Sequence, residues 1–334
     1  MIKRILICGD GSIGSRHLKI VKRLYPYVEI LVMRRKDRQK PKIPGVQTTS
    51  CLSDILAFNP HLSIIANPSS KHVKYLLKLI NNGSHILVEK PISNILLDKI
   101  QVLAAVETNK VYCHVGYNLR FLPSLVKFRQ LIKKQIIGQV TSLRVNAGHS
   151  LQQWRDADYR KSVSALKSLG GGVMLELSHE IDYLQWIFGN CRWVRAWTGK
   201  TSNLDVNTED TAIMQLGFEH KPHQKLVANV CLDFTRMDPT RECVAIGTNG
   251  TLHWDGIANL VKRFCPRGQY WSEYKCKENY EDLTYEAQLR QVFKDIAKGK
   301  KPMVSAEDGF RTVEIIEYAR KSSKNRGIQQ NLVT

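Results

Sequence analysis

Two short segments of the sequence carry side chains suited to proton transfer. The first contains Glu176, His179 and Asp182, spaced three residues apart. In a helix, residues at this spacing are neighbours on one face, and a carboxylate beside an imidazole fixes its tautomer and supports it as a general base. The alternative is a structural histidine whose hydrogen bonds are satisfied within an apolar helix. Taken alone, this segment favours the structural alternative.

The second segment is Glu89-Lys90-Pro91, which directly follows the apolar run 85–88. If that run is a strand of a parallel sheet, Lys90 lies at its carboxyl end, where open α/β sheets bind their ligands. An ammonium group there can hydrogen-bond a reacting oxygen and favour its developing negative charge. The alternative is a lysine that simply extends from the strand into solvent.

The glycines Gly9, Gly11 and Gly14 form the pattern G-x-G-x-x-G. An apolar run over 2–8 precedes them and a helical pattern over 16–25 follows, which is the context in which this pattern binds a dinucleotide. The glycines then allow a tight turn and close approach to a pyrophosphate, which sits on the amides of the helix N-terminus. The alternatives are a turn without a ligand and a turn for a different nucleotide-like cofactor.

The end of the second predicted strand indicates which dinucleotide is bound. An acidic residue about 20 residues after the glycines would bind the ribose 2′-hydroxyl, but the sequence there reads Met33-Arg34-Arg35. A guanidinium group can pair bidentately with a 2′-phosphate. We therefore expect NADP as the cofactor and NAD as the second choice. The alternative is that Arg34 and Arg35 only begin the solvated basic loop 34–42.

Strands and helices alternate over residues 1–120, which predicts a doubly wound parallel sheet, a Rossmann domain. Its strands are predicted at 2–8, 29–33, 62–66, 85–88 and 111–115. After a helix near 122–134, the pattern changes to longer strands linked mostly to strands. These are predicted at 139–147, 193–198, 211–218, 225–234, 241–247 and 250–254.

This change predicts a second α/β domain over 121–334, with a large, mostly antiparallel open sheet that serves substrate binding and oligomerisation. One helix over 173–187 interrupts the strands, and a last helix covers about 306–321. An open sheet leaves one face in need of cover, since exposed apolar strands invite association. We therefore expect a homo-oligomer, a dimer or a tetramer.

The composition is that of an ordinary folded protein of 334 residues, with 43% apolar and 24% charged residues. Its eight cysteines show no metal-binding spacing, so we expect reduced thiols and no metal site. With no long apolar run and no secretory segment, we expect a cytoplasmic protein without a membrane partner. The net charge of +20 is spread along the chain without a nucleic-acid motif, which indicates a solvated surface or a small anionic ligand.

Read in order, several segments resemble the glucose-fructose oxidoreductase/inositol dehydrogenase (Gfo/Idh/MocA) family across nearly the whole chain. They are GDGSIGSRH at 9–17, ANPSSKH at 66–72, EKP at 89–91, GYNLRF at 116–121, GGGVMLELSHEID at 170–182 and GTNGTL at 247–252. The resemblance implies a Rossmann domain followed by an α/β domain whose open sheet often mediates oligomers. It also implies a cis Lys90–Pro91 bond.

The resemblance further implies that Lys90 and His179 act at the reacting hydroxyl. Many members carry an aspartate four residues before that histidine, whereas this chain has Glu176 three residues before it. Residues expected to bind the cofactor are Gly9, Gly11, Ser12, Ile13, Gly14, Arg34, Arg35, Asn67, Pro68, Ser69, His72, Glu89 and Lys90. Residues expected on the substrate side are Asn118, Arg120, Trp154 and Asp182.

Together these features predict an NAD(P)-dependent dehydrogenase that moves hydride between the nicotinamide and a carbinol carbon of a sugar. The basic surplus favours an anionic substrate such as a nucleotide-linked sugar used in surface glycans. The alternatives are an inositol or free-sugar dehydrogenase and a dinucleotide-binding regulator without catalytic activity. The presence of Lys90, His179 and a nearby carboxylate favours an enzyme, because a regulator does not require them.

Overall fold

The computed structural model describes residues 2–34, 45–154, 158–221, 224–276 and 282–332. Its helices are α1 (Ser12–Leu24), α2 (Leu52–Phe58), α3 (His72–Asn81), α4 (Lys99–Thr108), α5 (Pro123–Lys133), α6 (Val173–Glu176), α7 (His179–Phe188), α8 (Leu283–Lys298) and α9 (Ala306–Lys324). Its strands are β1 (Arg4–Cys8), β2 (Glu29–Met33), β3 (Gln47–Thr49), β4 (Leu62–Ile65), β5 (His85–Val88), β6 (Cys113–Val115), β7 (Val140–Gly148), β8 (Cys191–Gly199), β9 (Thr211–Lys221), β10 (Gln224–Asp233), β11 (Thr240–Gly247), β12 (Gly250–Asp255), β13 (Leu260–Cys265), β14 (Tyr270–Lys275) and β15 (Gln330–Asn331).

The chain divides into two compact units. The first comprises Met1–Asn118 and Asp282–Val313, and the second comprises Leu119–Glu281 and Glu314–Thr334. The sequence pattern placed all of 121–334 in the second domain. That assignment differs from the structure over 282–313, because apolar side chains of this segment complete the core of the first unit. They are Leu289, Val292, Val304, Ala306, Phe310 and Val313.

The first unit contains a six-stranded parallel sheet in the order β3-β2-β1-β4-β5-β6. Its central strands β1 and β4 are mostly apolar and buried, as expected for a sheet that is covered on both faces. Two apolar clusters flank it, one containing Leu6 and Cys8 of β1 and the other containing Ile5 and Ile7. The predicted Rossmann fold is confirmed, and it brings the carboxyl ends of β1, β4 and β5 to one edge.

The second unit contains a nine-stranded sheet in the order β14-β13-β12-β11-β7-β10-β9-β8-β15. Its neighbouring strands pair antiparallel except for β7 and β10, which run parallel. One face packs on α5, α6 and α7 in a single apolar cluster. On the other face Trp197 and Ile213 lie opposite each other on β8 and β9, 48% and 52% exposed. The predicted mostly antiparallel open sheet is confirmed.

The helix predicted over 173–187 is wrong in one respect, because two helices occupy this range. Helix α6 ends at Glu176, and Leu177 has a backbone conformation outside the helical region, with ψ of 31°. The Glu180 amide bonds back three residues, to the Leu177 carbonyl, and regular pairing resumes when the Asp182 amide reaches Ser178. His179 is therefore the first residue of α7 rather than an interior residue of one long helix.

The cysteines and the helix lengths also bear on the expectations from the sequence. All eight cysteines lie within the described residues, and each is a free thiol, as the sequence predicts. None of the helices in the described ranges has the length and apolar character needed to cross a bilayer.

Candidate active site

The turn after β1 requires glycine at two of its three glycine positions. A side chain at Gly9, whose φ is +111°, would meet the Ala66 carbonyl oxygen at 2.9 Å. A side chain at Gly14 would approach the Gly9 carbonyl oxygen to 2.0 Å, so only glycine lets α1 start this close to the turn. At Gly11, by contrast, a Cβ would meet no described atom within 4 Å. The backbone at Gly11 therefore faces open space that a pyrophosphate can fill.

The start of α1 is suited to an anion. Gly11 caps the helix without a side-chain hydrogen bond, and the first turn contains no acidic residue. The amides of Ser12, Ile13 and Gly14 thus belong to the helix turn whose donors have no intrahelical acceptor. With the helix dipole they form the arrangement that binds phosphate groups in dinucleotide-binding proteins.

Asn67, at the end of β4, provides a second sign of a ligand. Both polar atoms of its side chain are buried and have no hydrogen-bond partner among the described residues. A buried amide without a partner costs about 1–3 kcal/mol, so a ligand that bonds to it recovers that energy. The neighbouring Pro68 and the buried Ser69 lead into a 3-10 turn, Ser69–Lys71, that starts the next helix. These residues and the glycine turn fit a bound dinucleotide.

His72 connects the turns that follow β4 and β5. Its Nε2 lies 2.7 Å from the Asn67 carbonyl oxygen and its Nδ1 lies 2.8 Å from the Pro91 carbonyl oxygen. Burial lowers the pKa of the imidazole, and the two carbonyl contacts oppose that shift. A neutral imidazole donates to one of these carbonyl oxygens and only contacts the other, so His72 lies packed between the two turns. Its role in cofactor binding stays a prediction.

Glu89 is held by His17 of α1. The two side chains meet at 2.7 Å between Nε2 and Oε1, and the imidazole also packs edge-on against Tyr285 of α8. Burial, followed by the nearby Glu89 charge, raises the pKa of Tyr285 to about 12. On its other side Glu89 lies against Gly116, where a Cβ would come within 2.9 Å of its Oε2. The sequence did not indicate His17 as a site residue.

Lys90 follows at the carboxyl end of β5, where it is partly buried. The Lys90–Pro91 peptide bond is cis, as the resemblance implies. His179, in the second unit, is buried at the start of α7 directly after Ser178. Because the chain is not helical between Glu176 and His179, the spacing argument for a carboxylate beside this imidazole no longer applies. The predicted catalytic roles of Lys90, His179 and Glu176 stay predictions.

Two residues predicted on the substrate side pair with each other instead of standing apart. Arg120 donates to both carboxylate oxygens of Asp182, from Nε at 2.9 Å and from Nη2 at 2.7 Å. Both side chains are buried, and the guanidinium also lies over the Trp186 ring. Such a bidentate pair is geometrically specific. The pair fixes α7 against the segment after Asn118, which is a structural role for both side chains, and their substrate role stays a prediction.

The other two predicted substrate residues have partners inside their own units. Asn118 donates from Nδ2 to the Thr284 hydroxyl at 2.8 Å in the first unit. Trp154, in the second unit, packs edge-on against His149 and Phe234 beside the apolar core. These contacts leave the substrate role of both residues a prediction.

Arg34, at the end of β2, faces the glycine turn. Its Nε lies 3.8 Å from Oδ2 of Asp10, the residue between Gly9 and Gly11. Asp10 was not among the predicted site residues. Arg35, the second arginine of the predicted pair, lies outside the described residues.

Comparison with known proteins identifies the family. Residues 3–117 match the family model described as "Oxidoreductase family, NAD-binding Rossmann fold". Residues 129–329 match the model described as "Oxidoreductase family, C-terminal alpha/beta domain" of the same family. The chain belongs to the Gfo/Idh/MocA oxidoreductase family. Its first unit is thus an NAD-binding domain, and the protein is an NAD(P)-dependent oxidoreductase.

Relatives within the Gfo/Idh/MocA family align over almost the full chain. The uncharacterized oxidoreductase YrbE of Bacillus subtilis is 27% identical over 96% of this chain and 95% of its own length. The myo-inositol 2-dehydrogenase of Thermotoga maritima is 23% identical over 96% of both chains. Among solved structures, the WlbA dehydrogenase from Bordetella pertussis, in complex with NADH and UDP-GlcNAcA, superposes with a TM-score of 0.81 at 19% identity and covers 100% of both chains.

Proposed function

We propose that this protein transfers a hydride between the nicotinamide of its cofactor and a carbinol carbon of a sugar, and that the sugar is nucleotide-linked or otherwise anionic. The observation that carries the proposal is the buried, unpaired Asn67 amide beside a glycine turn open at Gly11, in a chain of this oxidoreductase family. It supports a bound dinucleotide next to Lys90. A polyol or sugar carbinol as the reacting group is supported by the myo-inositol 2-dehydrogenase relative, and the nucleotide-linked class is supported by the UDP-sugar in the WlbA dehydrogenase complex.

The anionic character of the substrate is supported by charge. The chain carries 50 lysine and arginine residues against 30 aspartate and glutamate residues, a net charge of +20. A positive field raises the local concentration of an anionic substrate and its rate of association. Surface-glycan biosynthesis is the setting in which nucleotide-linked sugars of this kind are used.

In the oxidation direction, a bound nicotinamide would supply the hydride acceptor. Lys90 donates a hydrogen bond to the reacting hydroxyl oxygen and stabilises the negative charge that develops there. His179 would take the hydroxyl proton as general base. The products are the ketone, the reduced cofactor and one proton on His179, which leaves to solvent. In the reduction direction the same groups return the proton.

For the cofactor, we propose that Arg34 gives the protein affinity for NADP in addition to NAD. The guanidinium stands at the end of β2, where a dinucleotide-binding domain contacts the 2′ position of the adenosine ribose. Its planar fork can pair with a 2′-phosphate.

The test is a panel of UDP-sugars, free sugars and myo-inositol incubated with purified protein and NAD⁺ or NADP⁺, with absorbance followed at 340 nm. We expect an increase with nucleotide-linked sugars and none with the Lys90→Ala variant. Turnover confined to inositol or free sugars would contradict the substrate class. Cofactor binding without turnover of any compound would indicate the non-catalytic regulator instead of an enzyme.

A further inference from the structure

Asp10 is an unexpected acidic residue in a turn that approaches phosphate groups. Its side chain and that of Arg34 are only 8% and 12% exposed, and they form an ion pair at 3.8 Å. The glycine turn is tied directly to the end of β2, because the Gly9 amide donates to the Met33 carbonyl oxygen at 3.1 Å. Asp10 and Arg34 therefore lie side by side where two separate segments of the chain meet.

This position is where a Rossmann domain reads the adenosine ribose. In NAD-specific domains an acidic residue at the end of β2 accepts a hydrogen bond from the 2′-hydroxyl, and in NADP-specific domains an arginine replaces it. Here the end of β2 supplies the arginine, and the glycine turn supplies a carboxylate beside it.

We propose that Asp10 is a specificity-determining residue whose carboxylate accepts a hydrogen bond from the adenosine ribose and keeps NAD competitive with NADP. The inference rests on the dinucleotide binding of the proposed function. Asp10 and Arg34 carry opposite charges, so a 2′-phosphate bound beside the pair would gain attraction from the guanidinium and repulsion from the carboxylate. A neutral ribose carrying two hydroxyl donors avoids the repulsion and gains an ionised acceptor. The choice of cofactor thus depends on both residues of the pair.

The test measures cofactor affinity by isothermal titration calorimetry without sugar, with NADH and NADPH on wild type and on Asp10→Asn. The amide oxygen of Asn still accepts a hydrogen bond but carries no charge, so with Asp10→Asn the Kd for NADH should rise by up to about tenfold. The Kd for NADPH should fall, because the like charge beside the 2′-phosphate is removed. The exposed Asp205→Asn is the matched control for the loss of one negative charge and should change neither Kd. Asp10→Ser tests the same loss with a smaller side chain.

The reciprocal variant is Arg34→Ala, which should weaken NADPH about 10–100-fold and leave NADH nearly unchanged. If Asp10→Asn and Asp10→Ser leave the ratio of the two Kd values unchanged, the inference is wrong. It is also wrong if these variants weaken NADPH more than NADH, since Asp10 would then only orient Arg34 for the phosphate. Failure of wild type to bind either cofactor would instead contradict the proposed function.

Discussion

The hydrogen bond between His17 and Glu89 links α1 to the residue before Lys90, and its strength can be isolated with a double-mutant cycle. The two side chains are 0% and 11% exposed and meet at 2.7 Å. Replacing His17 with Phe keeps a ring against Tyr285 but leaves the Glu89 carboxylate without this partner. Replacing Glu89 with Met removes the acceptor at similar size. The double variant removes both polar groups, so that neither is left unpaired.

We expect His17→Phe to lower the free energy of unfolding by about 3 kcal/mol, since breaking a buried pair on one side leaves an uncompensated group. Glu89→Met should cost about 1–3 kcal/mol, and the coupling energy should be about 1.5–3 kcal/mol, the range for a hydrogen bond to a charged group. The double variant should consequently be more stable than the sum of the single losses predicts.

The chain contains a matched control for this cycle. His253 and Glu242 of the second unit also pair through Nε2 and a carboxylate oxygen, at 2.9 Å, but are 26% and 28% exposed. The same substitutions there should give a coupling below about 1 kcal/mol, because water screens exposed pairs. A His17–Glu89 coupling no larger than the control would refute the reasoning that burial makes this pair strong.

Urea unfolding followed by far-ultraviolet circular dichroism provides the free energies for the cycles. All six tryptophans lie in the second unit, so tryptophan fluorescence reports on the control pair but not directly on the first unit. Measurements without cofactor keep its binding from contributing to stability. For the control pair, an equal loss of unfolding free energy by circular dichroism and by tryptophan fluorescence establishes that both signals report the same transition.

Three further predictions concern the chemistry, the assembly and the pH dependence. Lys90→Ala and His179→Ala should each lower kcat by about 10²–10⁴-fold in steady-state assays, with cofactor binding retained. The double variant should lose less activity than the product of the two single losses. A near-normal kcat in His179→Ala would move the role of general base to Glu176. We propose that the sheet face with Trp197 and Ile213 joins copies of the chain. Light scattering should therefore give a mass above the monomer mass of 38.2 kDa, and Trp197→Asp should lower the measured mass. A monomeric wild type would contradict the proposed interface. Burial, then His85, lowers the pKa of His114 to about 3. Below about pH 6.5 the unfolded chain therefore binds more protons at His114 than the folded chain does. Lowering the pH from 7 to 5 should then reduce the free energy of unfolding by about 2 kcal/mol through His114, and His114→Gln should not show this loss. Equal losses in both proteins would show that His114 does not cause the pH dependence.

Much of the fold could be predicted because its signals are local. The apolar runs at 4–8, 62–65 and 85–88 and the glycine spacing at 9–14 each lie within a few residues. Strand β13 and the edge strand β14 were missed because Lys262 and Arg263 in β13 and Glu273 and Lys275 in β14 obscure the apolar alternation. Helix α8 was missed as well, although its buried residues recur at helical spacing. Its place in the first unit depends on contacts with distant segments, which no local pattern shows.

The break before His179 could not be predicted, since MLELSHEID has no helix-breaking residue. In the turn before α6, Gly172 has a φ of +116° and a side chain there would meet Glu209 at 2.5 Å. The Val173 amide donates to the Glu209 carbonyl at 3.0 Å, which fixes the start of α6 by a contact 36 residues away. This long-range contact sets where α6 begins, which no local sequence pattern shows.

Asp10 and His17 show the limit of reading a site from sequence. An aspartate between two glycines looks like an ordinary turn residue, and a histidine on an apolar helix face looks like a core residue. Their roles follow only from proximity to Arg34 and Glu89, which lie 24 and 72 residues further along the chain. The parallel sheet creates this proximity, because it aligns the carboxyl ends of β1, β2 and β5 at one edge.

The charges inside each unit also bear on the origin of the net charge of +20. Glu89 and Asp182 are buried and pair with His17 and Arg120, and buried Glu180 pairs with Arg241 at 2.7 Å. Burying an unpaired charge is costly, and among the described residues Arg120 is the one lysine or arginine that is buried. The basic surplus therefore belongs to side chains at the surface. There it acts on an approaching anion through the long-range field, whereas selection among anions depends on the few groups that line the site.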